Sequence, residues 1–179
     1  MGKLGNNLSS QNRIGILGGT FDPAHRGHLA ISVEAIKRLK LKKIIWAITK
    51  KNPFKKKSNT SLNKRIESCK KVIGKNSLIK VKFYEDIIKS NKTIELIKYI
   101  NRNNNNRIYL LMGADNLIAF HKWHKWKTIS QKCDIIVFDR HGYKRKSLNS
   151  VTFKRLNDKN LKFIEFKKVN ISSSQLRKI

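Results

Sequence analysis

Apolar and polar positions along this chain fall into blocks that switch between two periods. RIGILGG (13–19) is a continuous apolar run closing on glycines, as expected of a strand buried on both faces. Over 28–40, Leu29, Val33, Ile36 and Leu39 recur near helical spacing and predict an amphipathic helix. KIIWAI (43–48) reads as a second buried strand, and TKKNPFKKKSN as a loop fixed by Asn52 and Pro53. Leu62, Ile66, Cys69 and Ile73 form one stripe of a helix over 61–74 that Gly74 stops. The alternation then repeats. Strands are predicted at 78–84, 107–113, 133–139 and 161–166, and helices at 93–102, 115–130 (in one piece or two) and from Ser172 to the end.

Strands alternating with helices predict an α/β fold, a mostly parallel sheet with helices on both faces. Ligands of such sheets sit beyond the carboxyl ends of the strands. That rule puts Gly18, Gly19, Gly113 and the residues after them on one rim. The length of 179 residues suits a single domain, expected over 13–179. MGKLGNNLSSQN is polar, lacks the apolar centre of a secretory signal, and is expected to be a flexible tail over 1–12.

Composition changes this picture in two places. A net charge of +30 points to an anionic partner: nucleic acid, a membrane surface or a phosphorylated substrate. Its lysines are spread along the chain among many Ile and Asn, which AT-rich codons and solvated faces also explain. Cys69 and Cys133 lie within apolar patterns and read as buried thiols, in keeping with a reducing cytoplasm. No run of about 18 apolar residues occurs, so no membrane span is expected.

The densest chemistry is GGTFDPAHRGH (18–28). It lacks the Gly-Lys-Ser/Thr of a phosphate-binding P-loop and the spacing of GxGxxG. His25 and His28 have metal-ligand spacing, as do His121 and His124, but no third ligand accompanies either pair, and no metal site is expected. A phosphate reading fits better. Gly18 and Gly19 let backbone approach a ligand, Pro23 fixes the turn, and a helix start offers amides and a positive dipole end. Two imidazoles three residues apart share one face of that first turn and can donate to phosphate oxygens in a transition state. The same histidines could instead simply cap the helix. At the other end, ISSSQLR has Ser172 and Gln175 at capping-box spacing, amides at Ser173 and Ser174, and Arg177 one turn on to fork onto a phosphate.

GGTFDPAHRGH resembles the HxGH signature of the nucleotidyltransferase superfamily, and ISSSQLR its ISSTxxR signature. Between them NPFK (52–55), GADNL (113–117) and the tryptophans of FHKWHKW (120–126) resemble bacterial nicotinate-nucleotide adenylyltransferases. The ordered match runs over roughly 14–177. It implies a Rossmann-like nucleotidyltransferase fold and a cytoplasmic enzyme of NAD biosynthesis. The implied reaction joins ATP and nicotinate mononucleotide, with Mg²⁺, giving deamido-NAD and pyrophosphate. Related acceptors, nicotinamide mononucleotide and phosphopantetheine, are the nearest alternatives. A basic nucleic-acid-binding protein is the alternative of another class, although no helix-turn-helix, RNP or zinc-finger pattern supports it.

The resemblance also implies roles. His25, His28 and Arg177 would be catalytic. Gly18, Gly19, Thr20, Phe21, Gly113, Asp115 and Ser173 would bind ATP. Asn52, Lys55, Thr93, Trp123 and His124 would bind the mononucleotide, with Trp123 against the pyridine ring and amides near Thr93 and His124 reading the carboxylate. Three of these have competing structural readings: Asp115 and Thr93 as helix caps, and Trp123 as packed core. The sequence leaves the oligomeric state open.

Overall fold

The computed structural model describes residues 12–51, 60–103, 106–156 and 160–165. Among these residues six parallel strands form one sheet, β1 (Asn12–Gly19), β2 (Lys43–Ile48), β3 (Ile79–Phe83), β4 (Asn106–Gly113), β5 (Asp134–Phe138) and β6 (Leu161–Ile164), in the order β3-β2-β1-β4-β5-β6. The fold is the Rossmann-like α/β arrangement expected. The chain winds outward from β1 in one direction and then from β4 in the other. The switch point therefore lies between β1 and β4.

Two cores flank the sheet. On one face α1 (Arg26–Leu39) and α2 (Leu62–Ile73) pack Ala35, Leu39, Cys69 and Ile73 against Leu17, Ile44, Trp46 and Leu111. On the other, α4 (Thr93–Ile100), α5 (Ala114–Ala119) and α6 (Trp126–Lys132) cover Ile16, Ile108, Leu110 and Val137 with Ile94, Ile97, Leu117 and Ile129. Burying each such side chain contributes about 1.5–3 kcal/mol, the main force flattening these helices onto the strands. The edge strand β3 differs. Lys80 on it is exposed between the buried Ile79 and half-buried Val81, which discourages pairing with a further strand.

The strands and long helices predicted within the described residues are present with small shifts at their ends, and the helix expected from Ser172 lies outside the described residues. Helix α1 begins at Arg26 rather than His28, because His25 caps it. The helical stretch expected over 115–130, in one piece or two, is in two: a 3-10 turn (Phe120–Lys122) and a left-handed Lys125 (φ 53°) separate α5 from α6. Three short helices were not foreseen, α3 (Glu85–Ile88), α7 (Lys144–Leu148) and α8 (Val151–Leu156). The last two bury Ser147 and Thr152 rather than an apolar stripe, and hydrophobic periodicity does not register that pattern. Cys69 and Cys133 are buried free thiols, as expected, and burial raises the pKa of each to about 12. No helix among the described residues is long and apolar enough to cross a membrane.

Candidate active site

β1 delivers the glycine-rich segment to the carboxyl rim. Its register with β4 pairs Leu17 with Leu111, so Gly18 and Gly19 emerge alongside Met112 and Gly113 at the switch point. A Cβ on Gly18 would meet nothing within 4 Å, so its face is open. Gly15, three residues back, has a different reason to be glycine. A Cβ there would come within 2.9 Å of both Ile44 and Leu41.

After Gly19 the chain turns sharply. Phe21 adopts a positive φ of 48°, and the Asp22–Pro23 bond is cis. The Phe21 ring is buried and stacks on Trp46, with centroids 5.0 Å apart at 14°. It also packs against the His28 ring at 4.8 Å. Thus Phe21 enters the site through its backbone, while its side chain forms the floor under a histidine.

His25 and His28 form a reciprocal cap on α1. The Gly27 N–H donates to His25 Nδ1 (3.1 Å), and the His25 N–H donates to His28 Nδ1 (3.3 Å). This is the capping-box arrangement built from imidazoles. It has a chemical consequence. A backbone N–H only donates, so each Nδ1 must present a lone pair, and each neutral ring therefore carries its proton on Nε2. The rings lie together, with centroids 3.8 Å apart and planes at 34°. Capping and donation, which the sequence left as alternatives, are compatible: one nitrogen of each ring serves the helix, and the other bears a proton.

A buried relay fixes His28 from behind. The Trp46 Nε1–H donates to Ser32 Oγ (2.8 Å), and Ser32 Oγ donates to the His28 carbonyl (2.9 Å). Trp46 and Ser32 are both 0% exposed. Neither was a sequence candidate. Ser32 lies one turn beyond His28 on the same helix, and this polar residue facing the core was the available signal.

Beyond β1 and β2 the rim is closed by contacts among the next segments. The Thr49 N–H donates to the Gly19 carbonyl (3.0 Å). Glu85 on α3 accepts from the Thr49 hydroxyl and from the Lys50 N–H. Lys50 pairs with Asp86 at 2.6 Å, and that hydrogen bond raises its pKa.

Across the switch point, Gly113 caps α5 and Asp115 lies in its first turn, so Asp115 is not the cap residue. Its carboxylate pairs with Arg140, 2.7 Å away, after β5. A Cβ at position 113 would lie 2.6 Å from Asp115 Oδ1, so glycine is what admits this carboxylate position. Thr93 is likewise not a cap. Lys92 holds that place without a side-chain bond, leaving Thr93 as the first residue of α4. Helix geometry leaves its amide without an intrahelical acceptor. Trp123 is half-buried, edge-on to Phe120 at 5.2 Å, and His124 beside it is exposed. Asn52, Lys55, Ser173 and Arg177 lie outside the described residues, as do positions 1–11 of the expected tail.

Among the described residues no three His, Cys, Asp or Glu side chains converge as a metal cage. A Mg²⁺ ion that arrives on nucleotide phosphates needs no such cage, because phosphate oxygens and water supply most of its ligands.

The cytidylyltransferase-like family model matches residues 16–179. Over the full length of both chains the sequence is 64% identical to a probable nicotinate-nucleotide adenylyltransferase of Pelagibacter ubique (strain HTCC1062). It is 38% identical over 140 residues to one of Bradyrhizobium sp. (strain ORS 278), covering 77% of this chain and 72% of that one. Among solved structures it is similar to the nicotinic acid mononucleotide adenylyltransferase of Plasmodium falciparum complexed with NaAD, with a TM-score of 0.78 and 21% identity, covering 94% of this chain and 83% of that one. At that identity the likeness concerns the fold.

Proposed function

This chain belongs to the nicotinate-nucleotide adenylyltransferase family and is a nucleotidyltransferase, and from that premise we propose that it moves the adenylyl group of ATP onto nicotinate mononucleotide, releasing pyrophosphate and deamido-NAD. An oxygen of the mononucleotide 5′-phosphate attacks the α-phosphorus of ATP. The bond from that phosphorus to the bridging oxygen breaks, and the electron pair leaves with pyrophosphate. A phosphate monoester is already a nucleophile at neutral pH, so the step requires no general base. What it requires is alignment and neutralisation of spreading charge.

The observation that carries this reading is the imidazole capping box on the switch-point rim. It sets two imidazoles side by side, ring centroids 3.8 Å apart and each Nδ1 accepting from a backbone N–H, at a helix start beside open backbone at Gly18. His25 and His28 donate to the phosphate oxygens as charge builds on them. Gly18, Gly19, Thr20 and Phe21 border the reacting phosphates through their backbone. Gly113 and Asp115 border the adenosine, with Asp115 accepting a ribose hydroxyl. Trp123 offers a flat partner to the pyridine ring, and the amides near Thr93 and His124 meet its carboxylate. Mg²⁺ held by the triphosphate would offset further negative charge.

Incubating the protein with ATP, Mg²⁺ and one acceptor at a time tests the reading by pyrophosphate release. Nicotinate mononucleotide should be the preferred acceptor, with deamido-NAD as the product by mass. Turnover with phosphopantetheine or nicotinamide mononucleotide alone would overturn the choice of acceptor.

A further inference from the structure

One buried cation at this rim has no role in the mechanism above. Arg65 lies on α2 within the stripe of Leu62, Ile66, Cys69 and Ile73, and is only 3% exposed. Its guanidinium donates to three backbone carbonyls from three segments: Nη1 to Thr20 (2.7 Å) and Thr49 (2.8 Å), and Nε to Thr60 (3.2 Å). Thr20 belongs to the phosphate-side segment between Gly19 and the histidines. Thr49 and Thr60 bracket the stretch that carries Asn52 and Lys55 in the sequence. One planar, rigid group therefore ties the nucleotide half of the rim to the backbone just after β2 and to the backbone just before α2.

We propose that Arg65 is a positioning residue for adenylyl transfer, holding the Thr20 backbone that meets the ATP phosphates at a fixed distance from the backbone at Thr49 and Thr60. The inference rests on the proposed reaction. Three features argue for it over a purely structural role. A hydrophobic side chain would fill this stripe position without desolvating a charge, so the buried guanidinium is costly as packing alone. All three acceptors are neutral carbonyls, so its positive charge is not cancelled by the groups it orders. Only a forked donor spans carbonyls in different directions, and lysine supplies a single point of charge.

Arg65→Lys and Arg65→Met test this. Wild-type turnover of ATP with nicotinate mononucleotide is measured first, and its absence would sink the reaction rather than the role of Arg65. With the wild type active, both variants should lose on the order of tenfold to a hundredfold in kcat, as small misplacements of reacting groups do. KM for each substrate taken alone should move much less, because the direct contacts to each remain. Affinity for deamido-NAD, which spans both halves, should fall more than affinity for ATP. All rates are taken well below each variant's melting temperature, with the folded fraction measured by circular dichroism. Three results would overturn the proposal: wild-type kcat in Arg65→Lys, a loss that only tracks the folded fraction, or failure of both variants to fold.

Discussion

The dual use of His28 can be separated by a pair of substitutions. Alanine at 28 removes the Nδ1 acceptor that serves the His25 N–H and the ring that packs on Phe21 at 4.8 Å. Losing a cap and an aromatic contact costs about 1–3 kcal/mol together. For a chain of 179 residues this lowers the melting temperature by about 2–12 °C. Glutamine at 28 behaves differently. It is the usual partner at this place in a capping box and can accept from the His25 N–H, but its shorter reach then leaves its amide N–H displaced from where the ring carried Nε2–H. His28→Gln should therefore regain roughly half of the lost stability, the cap portion, while the ring contact stays lost. Both variants should lose on the order of a hundredfold to a thousandfold in turnover, as removal of one preorganised transition-state donor does. Pyrophosphate release at saturating ATP and nicotinate mononucleotide measures the first quantity, and thermal melting by circular dichroism the second. Two results would refute the reasoning: turnover in His28→Gln within a few-fold of wild type, or equal melting of the two variants.

Other expectations concern the supports of the site. Ser32→Ala strands the buried Trp46 Nε1–H, whose only described acceptor is Ser32 Oγ, and should cost about 1–3 kcal/mol in guanidinium unfolding. Gly113→Ala brings a Cβ to within 2.6 Å of Asp115 Oδ1 and should displace the carboxylate, raising KM for ATP by roughly tenfold, the equivalent of one charged hydrogen bond. Folding should change little by comparison in the same melts. Both cysteine thiols have folded pKa values raised by burial from 9.0 to about 12. The folded state therefore holds these protons more tightly than the unfolded chain. Their contribution to stability is complete below pH 9 and is lost progressively as pH rises towards 12. In unfolding titrations stability should fall across that window, and at pH 8 a thiol reagent should label the protein only as fast as it unfolds.

The sheet was legible because its central strands are continuous apolar runs ending in glycine, and buried parallel strands leave that trace. The long helices were legible for the same reason at the other period. The α7 and α8 region was not, because buried Ser147, Ser150 and Thr152 hold it together through local hydrogen bonds and one from the distant His121 N–H to Thr152 Oγ1. At the site, histidine spacing announced a shared face, but not that the two rings cap the helix with one nitrogen and keep a proton on the other. That depends on φ and ψ at His25, which spacing alone does not give. Arg65 was overlooked although it lies three residues after Leu62 on a helix read as apolar on that face. An arginine in such a stripe is a signal in its own right, because its charge must be answered by fixed acceptors.

The central claim is that the helix cap holds both imidazoles as Nε2–H donors and that these meet the ATP phosphates. Nitrogen-15 spectra of histidine-labelled protein at neutral pH, taken with and without ATP and Mg²⁺, test it most directly. Protonated Nε2 and unprotonated Nδ1 are predicted for both His25 and His28, with both Nε2 signals moving as ATP saturates. A proton on Nδ1 of either ring, or Nε2 signals unmoved by saturating ATP, would contradict it.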